Sequence, residues 1–264
     1  MQGTHDSIIE CKIVMKYTEY AKQCSSNIIY PLSIAEGFQD GEIIPDDEEK
    51  TKAVLFWHYA GFAYISGNIE TPFLETIYQR YFRNEIRRRF ILITDDPKVI
   101  AFFSDKSDIE LDRRVEYSYC GNAEYCDEGY LRDKWKCEYA IERITTFNYD
   151  RIHGKIIPAF SWSSKEQFLE KGFGYVALDG ERVAAAAFSA AVSLDEVDIG
   201  IETDEQYRHR GLAKLLAARM CREILSIGKK PVWAHAISNE GSRRTAMACG
   251  FVEDRVNTVI RRKG

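Results

Sequence analysis

The sequence predicts a mixed α/β protein, with a central mixed sheet flanked by helices in its C-terminal half. Val197, Ile199 and Ile201 alternate with polar residues and glycine, as in a strand with one buried face. Residues 212–227 repeat apolar side chains every three or four positions, which is typical of an amphipathic helix. Asp179-Gly180 separates two apolar runs and is a strong signal for a β-hairpin turn. Strands and helices therefore alternate within this half of the chain.

Further elements follow in a regular order from Lys136 onward. The other predicted strands of this half cover residues 137–144, 175–178, 183–189, 231–237 and 251–261. One predicted helix begins at Ser163, where Glu166 three residues later completes a capping box, and another covers residues 242–249. Glycines stand where these helices are expected to end, at Gly172, Gly228 and Gly250.

The N-terminal half predicts a smaller α/β domain. Residues 53–65 are rich in aromatic and β-branched side chains and predict one strand. Thr71 and Pro72 have the spacing of a helix cap followed by the first helical residue, and residues 87–89 close that helix. Residues 90–93 predict a second short strand, which acidic residues and a proline end.

The boundary between the two halves is expected within residues 104–133, because this stretch is polar and has no clear period. We therefore predict an N-terminal domain over residues 1–130 and a C-terminal domain over residues 131–264. A chain of 264 residues is long enough for two modest domains.

Composition excludes some functions. The chain has 45% hydrophobic and 29% charged residues, as ordinary globular proteins do, and its net charge of -5 disfavours a general nucleic-acid binder. Three consecutive arginines, residues 87–89, are a candidate phosphate or nucleic-acid site. A solvated helix end is the favoured interpretation of such a run. We therefore predict no nucleic-acid partner.

We predict a cytoplasmic protein without a membrane or metal partner. Thr4, His5, Asp6 and Glu10 interrupt any apolar core of a signal peptide, and no stretch has the roughly 20 apolar residues that cross a bilayer. The seven cysteines show no C-x-x-C spacing. Three cysteines are a candidate metal site: Cys120, Cys126 and Cys137. This interpretation is disfavoured because no histidine lies near them in the sequence.

The most informative segment is the predicted turn from the strand at residues 197–201 into the helix at Leu212. Gly211 and Ala213 leave the backbone uncovered where the helix begins, so free N–H groups and the helix dipole form an anion site there. Arg208 and Arg210 add positive charge beside it. The pattern favours a pyrophosphate ligand, although an ordinary strand-to-helix connection has the same spacing.

These residues resemble a known family. The run from Arg208 through His209, Arg210, Gly211 and Leu212 to Ala213 matches the [Q/R]-x-x-G-x-[G/A] signature of the GNAT superfamily of N-acetyltransferases. A second match is Asn239 after a strand, with Ser242 three residues later. The order of predicted elements from residue 136 to the end also fits that fold, so the resemblance covers about half of the chain.

The resemblance implies acetyl-CoA as co-substrate. The backbone of residues 208–213 is expected to hold the pyrophosphate. Ile201, Glu202 and Thr203 are expected to pair by main chain with the pantetheine arm, where two strands splay apart. Asn239 and Ser242 are expected to contact the cofactor from the other side. An N–H near Ile201 would stabilise the oxyanion of the thioester carbonyl.

The resemblance implies acetyl transfer to a primary amine by direct attack in a ternary complex. Glu202 and His235 are the candidate catalytic groups, as acid–base residues on the strands beside the signature. Both also have structural interpretations, as a strand-end carboxylate and a packed histidine. The family often has a tyrosine seven residues after the asparagine, whereas this chain has Ala246. Tyr175 or a water molecule is the substitute considered.

Two functions remain open from the sequence. The first is a small-molecule or peptide N-acetyltransferase, with the N-terminal half shaping the acceptor pocket. The second is a non-catalytic acyl-CoA sensor or scaffold, which Ala246 favours. A weaker third is a nucleic-acid-directed acetyltransferase using residues 87–89. The acceptor, the oligomeric state and whether the N-terminal half is a decayed second copy of the fold are not determined by these patterns.

Overall fold

The computed structural model describes residues 16–26, 28–84, 88–121, 129, 132–133 and 138–264. The chain divides into two compact units. Unit 1 consists of Met1–Arg114 with Val256–Gly264, and unit 2 consists of Val115–Arg255. The domain ranges inferred from sequence, 1–130 and 131–264, remain a prediction.

Unit 1 contains a sheet that is antiparallel except for one parallel pair. Its strands are β1 (Gly41–Pro45), β2 (Ala53–His58), β3 (Phe62–Gly67), β4 (Ile91–Thr94), the first half of β5 (Ile109–Tyr119) and the second half of β11 (Phe251–Arg262). Its labelled helices are α1 (Ile29–Ala35), α2 (Thr71–Ile77) and α3 (Pro97–Ser104), and residues 16–22 are also helical. Strands β1, β2 and β3 run antiparallel, β4 runs parallel to β3, and β11 runs antiparallel to β4.

The single strand predicted over residues 53–65 is wrong, because two strands and a turn occupy it. Gly61 adopts φ +85°, a conformation that side chains disfavour, and its N–H donates to the carbonyl of His58. The ring of His58 accepts a hydrogen bond from Ala60 N–H at 3.0 Å. Nearly all residues of this run are apolar, so its sequence pattern does not reveal the turn at which the chain reverses direction.

The helix predicted after the second apolar run is present, but its details differ. Glu70 rather than Thr71 is the N-cap, and the helix continues beyond Ile77 as a π-helical turn over Tyr78–Arg83. Arg87 lies outside the described residues. Arg88 is not a solvated helix end: its guanidinium stacks 3.7 Å from the ring centroid of Trp57 and pairs with a carboxylate of β1.

The polar stretch between the predicted domains contains the 11-residue strand β5, which the sequence did not reveal. Charged residues interrupt the alternation of apolar and polar positions that would predict a strand. The strand forms nevertheless, because oppositely charged side chains on a neighbouring strand compensate these charges. Within unit 1, Arg261 of β11 lies 3.1 Å from Glu110 and 3.4 Å from Asp112. Within unit 2, Arg255 lies 3.8 Å from Glu116. Cross-strand ion pairs of this kind stabilise a sheet despite its polar sequence.

Unit 2 contains a mixed sheet flanked by helices, which confirms the predicted fold class. Its strands are β6 (Ala140–Arg143), β7 (Gly174–Asp179), β8 (Arg182–Val192), β9 (Glu196–Thr203), β10 (Lys230–Ala236) and the remaining halves of β5 and β11. Its labelled helices are α4 (Lys165–Lys171), α5 (Leu212–Ser226) and α6 (Glu240–Ala248). Strands β6 to β9 run antiparallel in sequence order, and β10 runs parallel to β9.

Most elements predicted for this half are confirmed, with small corrections. The hairpin at Gly180 forms with φ +58°, as its turn type requires. Ser164, not Ser163, caps α4 by accepting a hydrogen bond from Gln167 N–H. Ile227 does not continue the buried stripe of α5, since half of its surface is exposed. Cys137, the predicted start of β6, lies outside the described residues.

The described residues contain neither a candidate membrane span nor a candidate metal site. No helix there combines the length and apolar character that crossing a bilayer requires. In the same residues, no group of three or more histidine, cysteine or acidic side chains is placed to hold a metal ion. Cys126, one of the cysteines considered as a ligand, lies outside them.

Unit 1 buries an imidazole in its aromatic core. His58 has no solvent exposure, and its ring packs edge-on against Tyr30 at 5.0 Å between centroids. Its Nδ1 accepts from Ala60 N–H, so the proton sits on Nε2, which has no hydrogen-bond partner among the described residues. Burial, and then the nearby charge of Arg88, lowers the pKa of His58 to about 3. Protonation is therefore strongly disfavoured in the folded state.

This imidazole is expected to make folding acid-sensitive. An unfolded chain protonates His58 near pH 6.5, whereas the folded one resists until about pH 3, so stability is lost as the pH falls through this window. The variant His58→Asn keeps an acceptor for Ala60 N–H and removes the titration. Between pH 7 and 4.5, urea unfolding should show wild type losing about 2 to 3 kcal/mol more than the variant. Equal losses would contradict this account.

Candidate functional site

The turn between β9 and α5 has an unusual backbone. After β9 the chain makes a short 3₁₀ turn over Glu205–Tyr207, and α5 begins at Leu212. His209 adopts φ +65° and Gly211 φ +78°, both in the left-handed region. Glycine adopts this region without steric cost, whereas a histidine does so only when the surrounding turn demands it. The signature run is therefore a sharply folded turn that ends at the amino end of a helix.

The amino end of α5 is suited to an anion. Gly211 is the N-cap and has no side chain to accept from the first-turn N–H groups, which have no acceptors within a helix. The helix is 15 residues long, so its dipole adds partial positive charge at this end. Any larger residue at Gly211 would adopt a disfavoured φ and place its side chain at these N–H groups.

An open cavity of about 1500 Å³ lies beside this turn within unit 2. Its walls come from the ends of β7 and β9, Trp233 of β10, and the first turns of α5 and α6. Basic side chains line the part near the two helices: Arg208, Arg210, Lys214 and Arg244. The amino end of the helix dipole and the basic side chains therefore both contribute positive charge here, and the surface favours a polyanion.

Arg210 is held in place by aromatic neighbours. Its guanidinium donates to the hydroxyl of Tyr139 and to the carbonyl of Gln206, and lies 5.3 Å from the ring centroid of Tyr207. The Tyr207 hydroxyl in turn donates to Asp179 at 2.8 Å. Arg208 is freer: more than half of its side chain is exposed, with Glu205 at 3.7 Å. The site thus combines a fixed cation with a more adaptable one.

Strands β9 and β10 diverge at the cavity. They pair only between residues 196–198 and 230–232. The N–H of Asp204 donates to Ala184 of β8, and because donors alternate along an antiparallel strand, the main-chain groups of Ile201 and Thr203 point away from β8. They face the opening where β10 has departed. By the same alternation, the main chain of Glu202 faces β8.

The side chain of Thr203 adds a buried hydroxyl group at this opening. Its hydroxyl oxygen is buried and has no hydrogen-bond partner among the described residues, although the residue lines the cavity. Buried polar groups are normally satisfied, so a polar ligand is the expected partner. The main-chain groups of Ile201 face the same opening. An extended ligand that carries amide groups fits these donors and acceptors.

The carboxylate of Glu202 is fixed by a neighbouring loop. One oxygen accepts hydrogen bonds from Lys155 N–H at 3.0 Å and Ile156 N–H at 2.9 Å. Gly154, at φ +135°, permits the approach, since a Cβ there would lie 2.4 Å from Glu202 Cγ. The side chain also lines the cavity. Glu202 therefore combines a structural contact with access to the proposed site.

Asn239 and Ser242 form a connected unit at the start of α6. Asn239 caps the helix by accepting from Ser242 N–H at 3.0 Å, and the Ser242 hydroxyl accepts from the indole of Trp233 at 2.9 Å. Both lie on the cavity wall. The capping contact uses the Asn239 carbonyl oxygen, so its amide N–H groups are the part that a ligand in the cavity can meet.

His235 lies in a buried polar chain instead. Its Nδ1 is 2.8 Å from the carbonyl of Ala236, and its Nε2 is 2.9 Å from the Tyr117 hydroxyl, which lies 3.2 Å from Glu253. Burial, and then the charge of Glu253, raises the pKa of Tyr117 to about 12. A carbonyl oxygen can only accept, so Nδ1 carries the proton of a neutral imidazole and Nε2 accepts from the Tyr117 hydroxyl. The single hydroxyl proton of Tyr117 is then shared between His235 and Glu253.

The structure offers no direct replacement for the missing tyrosine at the positions considered. Ala246 is fully buried. The Tyr175 hydroxyl donates to Glu223 at 2.8 Å, and the cavity lining includes neither residue. The tyrosines that do line it are Tyr139 and Tyr207, which the sequence did not single out.

Every residue predicted to bind the cofactor lines this one cavity: Ile201, Glu202, Thr203, Arg208, His209, Arg210, Gly211, Leu212, Ala213, Asn239 and Ser242. His235 does not belong to the lining. Sequence reasoning missed Lys214 and Arg244, although each follows a predicted motif and helical spacing could have placed it on the same side.

Comparisons with known proteins cover most of the chain. A family model described as GNAT acetyltransferase matches residues 19–259. The chain is 25% identical over 230 residues to "Uncharacterized N-acetyltransferase YdfB" of Bacillus subtilis, which spans 83% of this chain and 84% of that protein. These similarities support acyl transfer as the class of reaction.

Solved structures share the fold. A GCN5-related N-acetyltransferase-like protein from Streptococcus suis matches with a TM-score of 0.75 at 20% identity, covering 96% of this chain and 100% of that one. A putative GNAT acetyltransferase from Novosphingobium aromaticivorans matches with a TM-score of 0.57 at 16% identity, covering 83% and 92%. With the family model matching nearly the whole chain, the protein belongs to the GNAT acetyltransferase family.

Proposed function

We propose that this protein transfers an acetyl group from acetyl-CoA to a primary amine on a small molecule or peptide. The observation that carries the proposal is the turn of residues 208–211, which presents the uncapped amino end of α5 to a basic cavity. Gly211 and the neighbouring N–H groups suit a pyrophosphate, and the opening between β9 and β10 suits an extended arm.

The chemistry proposed is direct transfer. The neutral amine nitrogen forms a bond to the acyl carbon, the carbon–sulfur bond breaks, and the sulfur leaves as a thiolate. The nitrogen loses one proton as it becomes an amide, and that proton passes through water to the thiolate. A primary ammonium must first lose its proton, because its pKa is about 10.4. We assign that proton to the carboxylate of Glu202, directly or through water. We assign the stabilisation of negative charge on the carbonyl oxygen to the main-chain N–H of Ile201, which faces the opening.

His235 remains a predicted catalytic residue with a different geometry. Both of its ring nitrogens are engaged within the chain that includes Tyr117 and Glu253. A proton exchanged between His235 and the cavity would pass through one of these partners. We therefore assign His235 a positioning role, through Tyr117, rather than contact with the substrate.

A second candidate function is a non-catalytic acyl-CoA sensor or scaffold. The observation that favours it is buried Ala246, which leaves that position of α6 without an acid for the departing thiolate. Both functions use the same cavity and differ only in turnover. A cytoplasmic location without nucleic-acid or membrane partners belongs to either proposal.

Acetyl-CoA binding is expected to depend on Gly211. The variant Gly211→Asp puts a carboxylate at the amino end of α5, where it caps the N–H groups and repels phosphate. Loss of two charged hydrogen bonds corresponds to at least about 100-fold weaker binding in calorimetry.

The matched control is Gly228→Asp. Gly228 has φ +76°, nearly the value of Gly211, and follows the other end of the same helix, where an added Cβ would meet nothing within 4 Å. It carries the same backbone strain and charge away from the cavity. Normal binding by this control, with binding lost in Gly211→Asp, supports the site. Undiminished binding by Gly211→Asp would refute it.

Two substitutions of Glu202 are expected to separate its effect on turnover from its effect on stability. Glu202→Gln keeps an oxygen for Lys155 and Ile156 N–H but cannot accept the amine proton, so turnover should fall about 100-fold or more with stability retained. Glu202→Ala should lose turnover and also about 1 to 2 kcal/mol of stability. Thiol release from acetyl-CoA with a panel of primary amines measures the first effect, and urea unfolding the second.

The wild type decides between the two candidate functions in that assay. Thiol release that depends on an amine supports transfer. Binding without release for any amine in the panel would favour the sensor. Full activity in Glu202→Gln would remove Glu202 from the role of base.

A further inference from the structure

The two units repeat one order of elements. Unit 1 has a helix, three antiparallel strands, a helix, a parallel strand and another helix, namely α1, β1, β2, β3, α2, β4 and α3, and then the first half of β5. Unit 2 has the same succession, namely α4, β7, β8, β9, α5, β10 and α6, and then the first half of β11. Strands β3 and β4 of unit 1 therefore correspond to β9 and β10 of unit 2.

The corresponding strands of unit 1 also diverge. Strands β3 and β4 pair only between residues 62–63 and 91–92. The N–H of Asn68 donates to Lys52, just as Asp204 donates to Ala184 in unit 2, so the alternation aims the main chain of Ile65 at the opening. Unit 1 has the same kind of opening between strands that forms part of the proposed acyl-CoA cavity in unit 2.

Residues 20–26 bridge this opening in unit 1. The Ser66 hydroxyl of β3 donates to the carbonyl of Tyr20 at 2.7 Å. On the β4 side, the Ser26 hydroxyl donates to the carbonyl of Ile93 at 3.3 Å, and the hydroxyls of Ser25 and Thr94 lie 3.2 Å apart. The chain itself thus meets polar groups of both strands, as the amides of an extended ligand would.

Two residues of this segment are buried, which shows that it packs against the rest of unit 1. Ser26 is 2% exposed and Cys24 is 8% exposed. Burial raises the pKa of the Cys24 thiol to about 12. The segment is therefore packed against the sheet rather than resting on its surface.

The helix that follows β3 lacks an anion site. Pro72, in its first turn, has no N–H, and Glu70 at the N-cap carries negative charge where phosphate would bind. The Gly211 turn has no counterpart at this helix start among the described residues. The basic side chains here are engaged within the protein, since Lys52 pairs with Glu70 and the Lys98 ammonium donates to the carbonyl of Ile69.

We propose that unit 1 is a second copy of the acyl-CoA-binding unit whose cleft is closed by residues 20–26, so that one chain binds one acyl-CoA, in unit 2. The inference rests on the proposed function for the identity of the ligand. The closed cleft itself rests on the contacts of Tyr20, Ser25 and Ser26.

Calorimetry of the full chain with acetyl-CoA tests the stoichiometry. The expected result is one molecule per chain in wild type and in Gly228→Asp, and none in Gly211→Asp. Two molecules per chain would overturn the proposal, and so would one molecule retained by Gly211→Asp. No binding by wild type would count against the proposed function, and thiol labelling then tests the closed cleft by itself.

Thiol labelling uses Cys24 as an internal probe. Cys24 is buried within the bridging segment, whereas Cys120 is exposed. With iodoacetamide and mass spectrometry, and with rates normalised to those in urea, Cys24 should react at least about 100-fold more slowly than Cys120, because labelling requires local opening. Ser26→Ala with Ser66→Ala should accelerate Cys24, and Ser104→Ala, on an exposed helix end, should not. Equal normalised rates in wild type would refute the closed cleft.

Discussion

The site depends on the divergence of β9 and β10 after three paired residues. Parallel strands that separate leave main-chain donors and acceptors without partners on the neighbouring strand. Ile201 and Thr203 carry those groups, and the buried Thr203 hydroxyl adds another. A ligand with its own amides is the natural partner. The turn at Gly211 then supplies the charge complement at one end of that ligand.

The two units meet the same constraint in different ways. In unit 1 the chain itself contacts both strands, because Ser26 donates to the carbonyl of Ile93 and the carbonyl of Tyr20 accepts from the Ser66 hydroxyl. In unit 2 the loop that includes Ile156 contacts the side chain of Glu202 in β9 and does not fill the opening. A cavity of about 1500 Å³ lies there. Closing one copy removes unsatisfied polar groups from its core. Keeping the other open allows binding, and the accompanying cations bias that opening toward an anionic ligand.

Polar side chains inside unit 2 are arranged in linked sets rather than in isolated pairs. Asn239, Ser242 and Trp233 form one set along the cavity wall. His235 belongs to another, in which Tyr117 bridges it to Glu253. A hydrogen bond in a low-dielectric interior is strengthened by its neighbours, and losing one member strands the others. The cavity wall is therefore fixed before a ligand arrives, which favours specific binding.

The sequence by itself determined most strands and helices from β7 to β11 and the turn at Gly211, because the alternation around Ile199, the periodicity of α5 and the glycine at Gly211 are local signals. It could not reveal β5, whose charged residues find their partners on β11, or the hairpin inside the apolar run at Gly61. Only the tertiary structure decided that Glu202 is held by a loop while lining the cavity, and that His235 faces Tyr117 instead. The same holds for the segment that closes the opening of unit 1. Each of these depends on residues distant in sequence, whose meeting is set by packing rather than by spacing along the chain.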